Sequence, residues 1–113
     1  MSSYGVWLSY DLDPEANYSS LYTWLDNHDA VECGNSIAFF RYPCNQIEEL
    51  KDTIFSDLHD SVDLGKNSRL YLVYPTKKNG KIITQGAFIE GGRKKSPPWK
   101  GYGEISNVVD GDE

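Results

Sequence analysis

The chain has 113 residues, the length of a single domain, and its 39% hydrophobic and 13% aromatic content predicts a globular fold and excludes a disordered chain. No apolar run approaches the roughly twenty residues that a membrane helix requires, and the amino terminus lacks the basic and apolar regions of a secretory signal. We therefore expect a cytoplasmic protein with no membrane partner. Cys33 and Cys44 match no metal-binding pattern, so we expect reduced structural thiols.

The net charge of −6 is distributed very unevenly along the chain. Residues 1–65 contain twelve acidic and two basic residues, residues 66–100 contain nine basic and one acidic, and the last thirteen contain four acidic and no basic residues. The three segments thus carry net charges of −10, +8 and −4. Such opposed charges indicate an interaction surface. A solvated acidic face with a loosely basic tail explains the same pattern equally well.

The stretch from Tyr4 to Leu12 is apolar at nearly every position and ends near Asp11, which predicts a buried central strand. The following Asp13-Pro14-Glu15 is typical of a helix start or a turn. An apolar stripe at spacings of three and four then predicts an amphipathic helix, with a histidine at its end as a cap or surface residue. Its residues are Tyr18, Leu21, Leu25 and His28.

Residues 30–42 predict a hairpin with a Gly34-Asn35 turn, which Pro43 would end. Asn45 and Glu48 then resemble a capping box before a second amphipathic helix. The stripe of that helix is Ile47, Leu50, Ile54 and Leu58. Residues 69–74 predict another apolar strand, which Pro75 would close.

This order of strands and helices predicts an α+β fold, a ferredoxin-like βαββαβ sandwich with the first and fourth strands adjacent or nearly so. A strong Asn79-Gly80 turn signal and an apolar run over residues 82–90 add a C-terminal hairpin and a fifth strand. We expect residues 1–90 to form the domain. Residues 91–113 would form a basic segment that contains proline and tryptophan, followed by an acidic tail frayed over residues 104–113.

Four motifs together resemble the CRISPR-associated ferredoxin-fold endonuclease superfamily, which includes stand-alone members similar to virulence-associated protein D and to endoribonuclease antitoxins. The resemblance covers about residues 4–75. The motifs are Tyr10-Asp11-Leu12, Asn17–Leu21, Asn35–Phe39 and Glu48-Glu49-Leu50. The resemblance implies a homodimer with C-terminal strands that cross between subunits. It also implies that paired first-strand aspartates hold Mg²⁺ or Mn²⁺ for phosphodiester hydrolysis.

Carried onto this chain, the resemblance makes Asp11 the catalytic metal carboxylate, with Tyr10 shaping its approach. Asp13 would add a second oxygen ligand or would cap the helix instead. A hard divalent cation with oxygen ligands can polarise a phosphate and lower the pKa of bound water. The alternative is that Asp11 is a strand-end carboxylate that accepts main-chain hydrogen bonds.

The basic segment after the fifth strand is the second candidate site. Positive side chains would follow a phosphate backbone, and an aromatic ring would stack on a base. The alternative is a solvated tail that covers a sheet edge. The candidate nucleic-acid-binding residues are Arg93, Lys94, Lys95, Trp99, Lys100 and Tyr102.

Two functions of different classes follow from these patterns. The first is a small RNA-handling protein of the superfamily named above, a metal-dependent endoribonuclease or an antitoxin. The second is a non-enzymatic acidic inhibitor, an immunity protein or antitoxin, that docks on a basic partner such as a nuclease toxin.

Overall fold

The computed structural model describes residues 1–103, which form two helices and five strands. The expected fraying of residues 104–113 lies outside this part of the chain. In chain order the elements are β1 (Ser2–Asp11), α1 (Tyr18–Asn27), β2 (Val31–Gly34), β3 (Ile37–Cys44), a short 3₁₀ turn (Ile47–Glu49), α2 (Leu50–Ser61), β4 (Arg69–Lys78) and β5 (Lys81–Glu90).

The five strands form one antiparallel sheet in the order β2-β3-β1-β4-β5, which places β1 at the centre. The β1–β3 register runs from Ser2↔Cys44 to Ser9↔Ile37. The β1–β4 register runs from Trp7↔Val73 to Asp11↔Arg69. The predictions of an α+β fold, a central first strand and an adjacent fourth strand are therefore confirmed.

The hydrophobic core lies on one face of this sheet, under both helices. Val6 and Leu8 of β1 are fully buried, and α1 and α2 contribute their predicted apolar stripes. Because successive strand residues point to opposite faces, the residues of β1 between these core positions face away from α1 and α2. Trp7 on that face is 45% exposed. The central strand is thus buried on one side only, whereas its continuous apolar sequence predicted a fully buried strand.

The helices start differently from the sequence prediction. Asn17 caps α1, because its Oδ1 accepts a hydrogen bond from the Ser20 backbone N–H at 3.2 Å. Asp13-Pro14-Glu15 forms the turn before that cap. The predicted Asn45–Glu48 capping box does not form, since the 3₁₀ turn and α2 begin without side-chain caps. His28 is the C-cap of α1, which is one of the two roles that the sequence predicted for it.

The two prolines that were expected to end strands lie inside them, so those two predictions are wrong. Strand β3 continues through Pro43 to Cys44, and β4 continues through Pro75 to Lys78. In both places the strand has a partner on one side only, because β2 begins opposite Phe39 and the pairing of β1 with β4 stops at Trp7 and Val73 although β1 itself continues. A proline is tolerated there, since its missing N–H would otherwise face solvent.

The two hairpin turns illustrate how well glycine and asparagine mark reversals. At the β4–β5 turn, Asn79 and Gly80 both have positive φ angles, 53° and 77°, which confirms the predicted turn. The β2–β3 turn is shifted by one residue from the prediction, because β2 includes Gly34 and the chain reverses at Asn35-Ser36.

Neither helix in residues 1–103 is long and apolar enough to cross a membrane. Both cysteines are free thiols.

Candidate functional site

The sheet face opposite the helices, which we call the open face, is built by the alternating residues of the strands. The register places Ser9 of β1 beside Tyr71 of β4, and Tyr71 beside Phe88 of β5. The next pair along β1 and β4 is Asp11 and Arg69. This alternation brings polar and aromatic side chains from three strands to one end of the open face.

Residues 91–103 follow β5 and lie against this end of the open face, where they complete a groove. Its cavity is about 610 Å³. The lining residues come from both the sheet and the C-terminal segment: Ser9, Asp11, Arg69, Tyr71, Phe88, Arg93, Lys94, Pro97, Pro98 and Trp99. The groove is therefore made by parts of the chain that are far apart in sequence.

An ion pair lies at the β1 end of the groove. Arg69 Nη2 is 3.7 Å from Asp11 Oδ2, and the side chains are 35% and 72% exposed, respectively. An ion pair this exposed contributes little to stability, because water screens the charges. The partner of Asp11 in this structure is thus an arginine side chain, and both groups remain accessible to a ligand.

The aromatic floor of the groove is formed by Tyr71 and Phe88. Their ring centroids are 4.9 Å apart in an edge-to-face arrangement, which is a favourable geometry for an aromatic pair. The Arg93 guanidinium lies 5.9 Å from the Tyr71 ring centroid and 5.5 Å from that of Phe88. This cation–π contact holds the C-terminal segment against the sheet.

Gly86 makes room for this floor. A Cβ at this position would lie 2.1 Å from the Tyr71 hydroxyl oxygen and 2.6 Å from its Cζ. The Tyr71 ring therefore extends across the backbone of β5 where no side chain is present. A glycine inside a strand normally weakens it, and at this position it has a steric role.

Four of the predicted site residues meet in the groove: Asp11, Arg93, Lys94 and Trp99. The remaining predicted residues of the basic segment, Lys95, Lys100 and Tyr102, are exposed but do not line it. The groove thus joins the two candidate sites that the sequence suggested separately.

Tyr10 does not shape the approach to Asp11, contrary to the expectation from the resemblance. It lies on the helix side of β1, where it packs against the core and contacts Tyr22, with ring centroids 6.4 Å apart. Burial there raises the pKa of the Tyr10 hydroxyl, and the nearby Tyr22 and Tyr18 add to that increase. The physical reason is the two-residue period of a strand, which turns neighbours to opposite faces.

Asp13 belongs to the turn between β1 and α1. Its Oδ1 accepts a hydrogen bond from the Glu15 N–H at 3.0 Å, and its own N–H donates to Ser68 Oγ at 2.9 Å. It does not line the groove. Asp13 thus stabilises a local turn of the Asx type.

The groove of one chain does not fit a divalent cation. Among residues 1–103, Asp11 is the one carboxylate that lines it, and the guanidinium of Arg69 lies 3.7 Å from that carboxylate. Within residues 1–103, no three His, Cys, Asp or Glu side chains converge on one point. Mg²⁺ and Ca²⁺ take six or more oxygen ligands, of which water supplies only part. A metal at Asp11 would need carboxylates from another molecule.

Sequence reasoning assigned no role in a site to the strand residues Arg69, Tyr71 and Phe88, which line the groove. They were interpreted only as parts of apolar strands. A signal for the first two was present, since Arg69 and Tyr71 share a strand face in a two-residue period. Phe88 could be assigned to the same face, because the Asn79-Gly80 turn sets an unbroken β4–β5 register as far as the Tyr71–Phe88 pair.

The charges of the molecule are separated between its two sides. In the described part of the chain, the groove combines Arg69, Arg93 and Lys94 with one carboxylate, that of Asp11. The other eleven acidic residues of positions 1–65 lie on the helices, on their connecting segments or on β2: Asp13, Glu15, Asp26, Asp29, Glu32, Glu48, Glu49, Asp52, Asp57, Asp60 and Asp63. The groove is locally basic in a chain of net charge −6.

Comparison with protein-family models, with curated proteins and with solved structures found no match for this chain.

Proposed function

We propose that this protein is a small RNA-handling protein that binds single-stranded RNA in the groove. The observation that supports this proposal is the meeting of three basic side chains and an exposed tryptophan in one cavity. Trp99 is 72% exposed and has an indole ring available for a ligand. The resemblance of residues 4–75 to the CRISPR-associated ferredoxin-fold superfamily supports the same class of protein.

The strand order also agrees with this proposal. Its first four strands follow the order β2-β3-β1-β4 with a helix before β2 and another before β4. That arrangement is consistent with a ferredoxin-like fold to which β5 has been added.

The chemistry of the groove suits an unpaired strand of nucleic acid. Arg69, Arg93 and Lys94 would contact phosphates, which provide most of the affinity in such complexes. Trp99 would stack on a base. Every base can make this contact, but the base must be unpaired and not part of a duplex. We therefore expect preference for single strands and little dependence on base sequence.

Fluorescence anisotropy with a labelled oligouridylate tests this proposal. Arg93→Gln and Lys94→Gln should each weaken binding and reduce the slope of log affinity against log salt by about one. Lys51→Gln on α2 makes the same charge change away from the groove and should leave affinity unchanged. Equal affinities for all four proteins, or no binding by the natural chain, would exclude the groove as an RNA site.

Cleavage is a further part of the proposal that depends on a second copy. A homodimer that brings two Asp11 carboxylates together would supply the ligands that one chain lacks for Mg²⁺ or Mn²⁺. RNA cleavage should then require the metal and should be lost in Asp11→Asn. Cleavage that persists in Asp11→Asn would belong to another site or to a contaminant.

A second candidate function is favoured by the acidic side of the molecule. Glu48, Glu49 and Asp52 are exposed at the start of α2, on the side opposite the groove. This surface would suit an acidic inhibitor, an immunity protein or antitoxin, that docks on a basic nuclease toxin. A pull-down from native cells distinguishes the two functions. A stoichiometric basic protein without nucleic acid would favour the inhibitor, and copurified RNA without such a protein would favour RNA handling.

A further inference from the structure

We propose that Trp7 and Phe39 form a second base-stacking site on the open face, next to the groove. This inference rests on the proposed RNA binding and deepens it, because it defines where the strand continues beyond the groove. The site would take a second unpaired base of the same RNA molecule.

The two rings form a cross-strand pair at the centre of the sheet. Trp7 of β1 pairs in register with Phe39 of β3, and their ring centroids are 4.9 Å apart with a tilt of 57°. Trp7 is 45% exposed although it lies on the central strand. An indole left this accessible in mid-sheet is available for a ligand, since neither helix covers this face.

Gly5 allows the phenylalanine ring to lie low on the sheet. A Cβ at Gly5 would be 2.9 Å from Cζ of Phe39 and 3.0 Å from its Cε1. The ring therefore extends over the backbone of β1. This repeats the arrangement of Tyr71 over Gly86 in the groove. In both places a glycine on the neighbouring strand leaves space for an aromatic ring across the open face.

The second site is continuous with the groove. Trp7 and Ser9 are neighbours on the same face of β1, about 7 Å apart for two strand residues, and Ser9 lines the groove. On the far side of the pair, Arg41 is exposed and lies opposite Gly5 in the register. A strand that leaves the groove would thus pass Trp7 and Phe39 and reach another cation.

Charge argues for a nucleic acid over Trp7 and Phe39 and against a second copy of the chain at these two rings. The open face and groove present Arg41, Arg69, Arg93 and Lys94, with Asp11 as the opposing carboxylate. A twofold dimer centred on Trp7 and Phe39 would place the same patch against itself, so its excess positive charge would be repelled. A dimer that pairs the Asp11 carboxylates would meet instead at the end of β1, four residues or about 13 Å from Trp7. A polyanion with flat bases complements both the charge and the rings.

Tryptophan fluorescence separates the two sites, because the chain has three tryptophans and each has a different environment. Trp24 is 4% exposed in the core and gives a constant background. Trp99→Leu leaves Trp7 as the accessible reporter of the sheet site, and Trp7→Leu leaves Trp99 as the reporter of the groove. Oligouridylates of increasing length would be titrated into both variants at low salt.

We expect short oligonucleotides to quench Trp99 alone and longer ones to quench Trp7 as well. Anisotropy should show Trp7→Leu and Phe39→Leu binding long oligonucleotides about five- to a hundredfold more weakly, the usual effect of one lost stacked base. Short oligonucleotides should bind these variants like the natural chain. Tyr22→Leu, which changes an exposed aromatic residue on α1, should have no effect at any length.

The outcomes separate this inference from the proposed function. Quenching of Trp99 without quenching of Trp7, together with unchanged affinity of Trp7→Leu at every length, would overturn the second site and leave the groove intact. Absence of binding by the natural chain would overturn both. A concentration-dependent dimer that shields Trp7 from acrylamide would show that another copy covers this face, which also overturns the inference.

Discussion

Replacing Gly86 with alanine tests how the floor of the groove is built. The new Cβ would lie 2.1 Å from the Tyr71 hydroxyl oxygen, so the ring must move. Movement disrupts the contact with Phe88 at 4.9 Å and the cation–π contact with Arg93. These contacts contribute about 0.5–1.5 and 0.5–1 kcal/mol, respectively, and a displaced rotamer costs about 0.5–1.5 kcal/mol.

Alanine is itself better than glycine in a strand by about 0.5–1 kcal/mol, which offsets part of the loss. We therefore expect Gly86→Ala to lower the free energy of unfolding by about 1–3 kcal/mol. In a Tyr71→Ala background there is no ring to displace, and the same change should be neutral or stabilising. Equilibrium urea unfolding of the four proteins of this double-mutant cycle gives the coupling energy.

A matched control is Gly92→Ala, because an added Cβ there meets no atom within 4 Å. Its free energy of unfolding should stay close to that of the natural chain. Additive effects of Gly86→Ala and Tyr71→Ala would refute the steric explanation. Gly86→Ala should also weaken RNA binding, since the displaced ring would enter the groove.

Three further changes test the core, a buried hydroxyl and the ion pair. Leu8→Ala should lower the free energy of unfolding by about 2–5 kcal/mol, measured in urea, because Leu8 is fully buried at the sheet centre; a loss below 1 kcal/mol would contradict the assigned core. The Tyr42 hydroxyl donates to Asp57 Oδ2 at 2.7 Å, and burial and this carboxylate raise its pKa above the ordinary 10.0. The folded state therefore holds the proton more tightly, so this contribution to the free energy of unfolding is fully present below pH 10 and is lost above it. The free energy of unfolding, measured between pH 8 and pH 11, should fall less with pH in Tyr42→Phe than in the natural chain. Asp11→Asn should change stability by less than about 0.5 kcal/mol, because the ion pair is exposed. It should also strengthen RNA binding in the anisotropy assay, because it removes a negative charge that lines the groove.

Features that depend on local periodicity were predictable from the sequence. The stripe of Leu50, Ile54 and Leu58 became the buried face of α2, and Asn79-Gly80 formed the predicted turn. In each case a few neighbouring residues determine the outcome, because helix faces and tight turns are set by spacing and by φ angles. The central position of β1 followed from its length and apolar content.

Features that depend on the lengths and registers of neighbouring strands were not predictable. Pro43 and Pro75 are accommodated because the pairing on one side of each strand stops before the proline, and the residues around each proline in the sequence do not reveal this. The Tyr71–Phe88 pair follows in unbroken register from the Asn79-Gly80 turn, whereas the return of residues 91–103 onto this face has no local signal in the sequence. The division into residues 1–90 and 91–113 stays a prediction, although Arg93 and Trp99 lie against the sheet.

The groove is basic although the chain has a net charge of −6, because the strands direct the groove side chains to the face opposite the acidic helices. Acidic residues such as Asp52 and Asp57 lie on α2, on the far side of the core, and packed layers are about 10 Å apart. At physiological ionic strength, charges are screened over about 8 Å. A phosphate entering the groove is therefore governed by Arg69, Arg93 and Lys94, within contact distance, more than by the helix carboxylates. The net negative charge would repel a polyanion only at distances too large for it to sense the groove and the acidic side separately.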